Sequence, residues 1–239
     1  MAAKLRLVLE NPTLPLALRA GLLALIVFWF RYSDPDLWKT LIFLLAFLFL
    51  YLNPKTNFSR LIASSTVWLG VVLGAPRLDG PIGFYFNLIL GALAFVLLGV
   101  KNLILLRRQS AYYLFHLALL VGTTSLFFLG SFSQIFLFII LFFLIREFYF
   151  FMVRGSSELI NLLAAAESVL LVQTAWVISF FPTSFLVGAS LLVLAAFVFH
   201  DALLNHLKGT FSKQLAIRDL GVFVVLTGLI LLLPVWGFR

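Results

Sequence analysis

Residues 143–155 read FLIREFYFFMVRG, the close of an apolar run that begins near residue 133. The run is as long as the ~20 residues a helix needs to cross ~30 Å of hydrocarbon. Yet it carries Arg146 and Glu147 side by side, about two turns from its end. Charges at that depth persist where they face other helices or snorkel to headgroups. Adjacent helical residues point about 100° apart, so this pair cannot serve itself and each member needs its own partner. The stretch therefore predicts a transmembrane helix packed among neighbours.

The rest of the chain repeats the pattern. Of its 239 residues, 63% are hydrophobic and only 11% are charged, against about 25% charged in a soluble domain. The expected fold is an all-α, polytopic transmembrane bundle of about nine spans, forming one membrane-embedded domain over residues 1–239. The spans fall near 14–31, 37–52, 58–75, 82–103, 111–129, 133–153, 157–181, 184–206 and 219–236. Turn chemistry separates them: SDPD at 33–36, NPKTN at 53–57, LDGP at 78–81, Gly-Ser steps at 130 and 155, and FPTS at 181–184. The first segment carries Arg19 and leads to Trp29 without a small-residue cleavage site, so it reads as a retained helix.

Basic residues set the expected orientation. Lys4, Arg6, Lys55, Arg60, Lys101, Arg107, Arg108, Arg146, Arg154, Lys208, Lys213 and Arg218 fall on one side of a nine-span chain. Arg31, Lys39, Arg77 and Arg239 fall on the other. The excess places the N-terminus in the cytoplasm and the C-terminus outside, in a plasma (inner) membrane. Interfacial aromatics agree: Trp29, Trp38, Trp176, Trp236, Tyr32 and Tyr85 lie at outer ends, and Tyr51, Tyr112, Tyr113 and Tyr149 at inner ends, while Trp68 lies deeper. KTNFSR (55–60) and KGTFSK (208–213) echo one another before outward-going helices; Ser59 and Ser212 as helix caps are the simpler reading.

Composition excludes several functions. With no cysteine, disulfides, thiolate catalysis and iron–sulfur clusters are out. No lysine lies in the last span for a retinal Schiff base, no histidines are spaced to bracket a haem, and no GxxxxGK[ST] loop cradles a phosphate. The net charge of +8 is spent in short loops. That suits anionic headgroups at the cytoplasmic face rather than nucleic acid. Membrane lipids are the expected partners, and a homo- or hetero-oligomer is compatible with the chain.

Ionisable residues at membrane depth are the candidate site. Glu167, in NLLAAAESVLLVQT (161–174), is the one that reaches the middle of the bilayer, and Ala164, Ala165 and Ala166 allow a helix to approach beside it. His200 and Asp201 lie within two turns of the inner end of the eighth span. His200 and His206 are six apart and diverge by about 120°, so one regular helix cannot aim both at one ion. Glu147, Glu167, His200 and Asp201 are the candidate catalytic groups, and Arg19, Arg60 and Arg146 the candidate headgroup-binding groups. His116 and His200 are the candidate ligands of a divalent metal, which would need a glutamate beside them. Three functions suit this pattern. The leading one is a membrane-embedded enzyme acting on a lipid or a membrane-anchored substrate. The others are a structural or assembly subunit of a membrane complex, and a small-molecule or ion transporter using Glu167.

Overall fold

The computed structural model describes residues 13–32, 36–52, 61–77, 80–101, 108–153 and 156–232. Nine helices form among them: α1 Thr13–Tyr32, α2 Leu37–Leu52, α3 Ile62–Gly74, α4 Gly80–Lys101, α5 Arg108–Phe128, α6 Gln134–Met152, α7 Ser157–Ser179, α8 Phe185–Leu207 and α9 Lys213–Leu232. Among the described residues, six segments are long and apolar enough to cross a membrane, from Gly83–Lys101 in α4 through α9. The apolar helices α2 and α3 are shorter. At 13 residues, α3 extends only about 20 Å. The protein is thus an integral membrane protein built from helical bundles. The 55–60 echo, Arg154 and Trp236 lie outside the described residues.

Local chemistry fixes the helix ends. Ser156 and Ser184 accept hydrogen bonds from Leu159 N and Val187 N, capping α7 and α8. Ser212 does the same for Leu215 N, so α9 begins at Lys213, six residues before the expected start of that span at 219. Asp219 accordingly lies in the second turn of α9, not at its opening. Gly130, at φ 76°, lets Ser131 N return to Leu126 O at 3.0 Å and turns α5 sharply into α6.

The chain divides into two compact units, residues 1–115 and 116–239, with the division inside α5. In the first unit, α1 packs most closely on α4. A Cβ on Gly91 would stand 3.1 Å from Ala24 O, so a side chain there would require the two helices to part by a few tenths of an ångström. One end of this unit is clamped by Arg31, at the close of α1 and only 5% exposed. Its guanidinium donates to Val72 O (3.2 Å), Ala75 O (2.8 Å) and Pro76 O (2.7 Å), and to Asn87 Oδ1 (3.2 Å) near the start of α4. Helix ends leave carbonyls without partners and carry partial negative charge, which an arginine satisfies on both counts. At the other end, buried Lys101 closes α4 by donating to Tyr51 O in the last turn of α2 and lying over the Tyr51 ring. The Tyr51 hydroxyl in turn donates to Leu61 O (3.0 Å), just before α3. The ends of α1 and α3 thus meet the start of α4, and the end of α4 meets the end of α2, so successive helices of this unit run in alternating directions.

In the second unit, α7 packs against α6 and α8, and α8 against α9. The aromatic ring of Phe128 lies 3.2 Å from where a Cβ on Gly188 would be, bringing α8 close to the end of α5. Only 6% of the α9 span is buried, against 33–50% in the other five. Its apolar side chains are therefore left largely uncovered by the other described helices.

Candidate functional site

The site is assembled in the second unit from four helices. His116 lies eight residues into α5, about 12 Å from its start; Glu167 lies ten residues into α7, about 15 Å; His200 lies seven residues from the end of α8, about 10 Å. Tyr149 sits in the last turn of α6. Helical side chains lean toward their own N-terminus. Tyr149 and His200 therefore lean toward mid-helix, while Glu167, on a helix running the other way, leans back to meet them.

The result is a continuous hydrogen-bonded chain. Tyr149 Oη donates to Glu167 Oε2 at 2.6 Å. Glu167 Oε1 bonds to His200 Nδ1. His200 Nε2 faces His116 Nε2 at 2.9 Å. All four side chains are at 0% exposure. Phe148 forms the wall, its ring centroid 4.5 Å from each imidazole, and excludes water from the pair. Buried polar groups at this depth are costly unless bonded, and each side chain of the series bonds to the next through one atom.

The bonds are directional, and two proton counts satisfy them. With Glu167 ionised and His200 neutral, His200 Nδ1–H donates to the carboxylate, and its bare Nε2 accepts from His116 Nε2–H; the site then carries one negative charge. With one more proton, His200 Nε2 carries hydrogen and donates to a bare His116 Nε2, and the site is neutral. A single proton therefore reverses the direction of the histidine–histidine bond.

The structure brings together three of the expected residues, His116, Glu167 and His200. The remaining ones lie elsewhere. Glu147 is half-buried on α6, two residues and thus about 200° round the helix from Tyr149. Arg146 donates to Asn161 Oδ1 at 2.6 Å and lies over the Phe150 ring, tying α6 to α7. Asp201 accepts from Asn205 (3.1 Å) and from Arg218 (2.8 Å), which also donates to Asp219 (2.7 Å). This second cluster ties α8 to α9. Arg19 is half-buried in the second turn of α1, in the first unit. Arg60 lies outside the described residues.

Tyr149 and Phe148 belong to the site although the sequence reading passed over them. Tyr149 was expected only as an interfacial aromatic. Its direction of lean, combined with the opposite run of α7, is the signal that points it at Glu167.

As ligands, two nitrogens on one zinc ion, each about 2.0–2.1 Å away, would stand roughly 3.3 Å apart. The 2.9 Å between the two histidine nitrogens is a hydrogen-bond distance. Among the described residues, no three histidine or carboxylate side chains are grouped to hold a metal ion. Comparison with known proteins finds no matching family model, no similar curated protein and no similar solved structure.

Proposed function

We propose that this protein is a proton-coupled membrane transporter whose coupling site is the Tyr149–Glu167–His200–His116 chain. One observation carries the reading: three hydrogen bonds in series join four fully buried titratable side chains from four membrane helices. Chains of carboxylates and histidines inside a membrane are the usual material of proton relays. Loss of the proton leaves an isolated negative charge in a medium where such a charge is expensive, which drives the helices to admit water or a cation. The reading takes the chain to cross the membrane nine times from a cytoplasmic N-terminus. The alternating helix directions of the first unit and the distribution of Lys and Arg support it.

The test is proton occupancy in the purified full-length protein. Nitrogen-15 spectra of His116 and His200 should change together across a broad pH series. A carboxylic acid infrared band lost in Glu167→Gln should appear in step. Spectra that never change over that series would remove the proton reading and leave a structural lock.

A second reading, a membrane-embedded enzyme acting on a lipid or membrane-anchored substrate, draws support from Glu167 orienting His200. A carboxylate that fixes one ring nitrogen is how a general base is held. Catalysis would require His200 Nε2 to leave His116 and meet substrate. Hydrolysis of a membrane substrate that is lost in His200→Gln but kept in Arg218→Ala would favour it.

A further inference from the structure

A groove of about 830 Å³ runs along the first unit between α1 and α4. Its floor is made by small residues: Ala17, Gly21 and Ala24 recur one turn apart on α1, and Gly91 faces them from α4. Phe28 and Phe84, edge to face with centroids 5.6 Å apart, line its far part. From Ala17 to Phe28 is eleven residues, about 16 Å, which is the depth of one leaflet of a ~30 Å hydrocarbon core.

Among the described residues the groove has one polar lining residue, Asn87, which is itself 6% exposed. Asn87 Oδ1 accepts from Arg31 Nε, so its amide nitrogen points the other way. That nitrogen makes no hydrogen bond among the described residues, although it is a donor with two hydrogens. Behind it stands Arg31, whose partners among the described residues are all neutral: three carbonyls and this amide. An apolar channel one leaflet long therefore ends at a donor backed by an unneutralised guanidinium.

We propose that this groove holds one acyl chain of an anionic phospholipid, with a headgroup or ester oxygen accepting from Asn87 Nδ2 and the negative charge facing Arg31. The chemistry is complementary at both ends. The channel matches a fatty chain, and the buried cation matches a phosphodiester. The site is built wholly from the first unit and is independent of the proton chain in the second.

Native mass spectrometry of the full-length protein in mild detergent, with phosphatidylglycerol or phosphatidylcholine of equal chain length, tests it. The wild type should retain one phosphatidylglycerol in preference to phosphatidylcholine by roughly fivefold or more. Gly21→Leu fills the floor, where an added Cβ meets nothing within 4 Å, and should lose both lipids. Asn87→Asp keeps the acceptor for Arg31 while cancelling its charge, and should bring the preference to about parity. Equal retention of the two lipids by the wild type, or unchanged phosphatidylglycerol retention in Gly21→Leu or in Asn87→Asp, would overturn the proposal.

Discussion

His200 gives one ring nitrogen to Glu167 and the other to His116, so a residue on α8 is read simultaneously by α7 and α5. All three side chains are at 0% exposure among the described residues. A change in the proton count at one end of this chain is therefore felt at the other through bond direction alone.

Glu167→Gln should trap one direction. The glutamine carbonyl still accepts from Tyr149, while its amide donates to His200 Nδ1. That forces hydrogen onto His200 Nε2 and makes His116 the acceptor, the polarity of the proton-loaded site. The expected outcome is a folded protein, within about 1 kcal/mol of wild type, whose histidine spectra no longer respond to pH. Thermal unfolding and nitrogen-15 spectra check the two halves separately.

His200→Ala should be far more damaging. It strips a buried carboxylate of its main partner and leaves His116 facing a void, at a cost of about 3–5 kcal/mol if the glutamate is ionised. Combining it with Glu167→Gln should cost less than the sum, with a coupling of roughly 0.5–3 kcal/mol. Strict additivity, measured by reversible unfolding in detergent, would show that the two side chains do not share a bond.

Tyr149→Phe removes one hydroxyl and leaves the ring in place. Loss of a hydrogen bond to a carboxylate predicts about 1.5–3 kcal/mol of destabilisation. Under the proton reading it also predicts an altered pH response of His200. A purely structural tyrosine would change the first and leave the second untouched.

Most of the architecture was legible because hydrophobic runs and turn residues report directly on helices. Eight of the nine expected spans start within about four residues of the observed helices, and the ninth was misplaced for a definite reason. Arg218 and Asp219 look like the edge of a loop, yet Arg218 pairs with both Asp219 and Asp201, so the helix can begin before them. The second span was read at its observed bounds, 37–52, whereas α3, Ile62–Gly74, is shorter than the expected 58–75, since composition shows that a run is apolar but not where its helix stops. In the site, Glu167, His200 and His116 were visible as ionisable residues at depth. Their meeting was not, because it depends on helix direction and lean. Glu147 and Asp201 looked equivalent in sequence, but each lies on a different face from the residue that joins the chain.

Gly188→Val is a packing test that leaves the polar chain alone. The added branches would meet the Phe128 ring, already 3.2 Å from the Cβ position, and overpacking of this kind costs about 1–3 kcal/mol. A companion Phe128→Leu should recover part of the loss in the same unfolding measurement.

The arginine clamp at the end of α1 also has a consequence for biosynthesis. Arg31 is made 41 residues before Val72 and 56 before Asn87, so the first helix leaves the ribosome with a guanidinium whose acceptors do not yet exist. Until α3 and α4 follow, that charge must stay in contact with water or headgroups. The arrival of the fourth helix completes the coordination of the first, which makes the N-terminal unit a cooperative product of insertion rather than a sequence of independently finished spans.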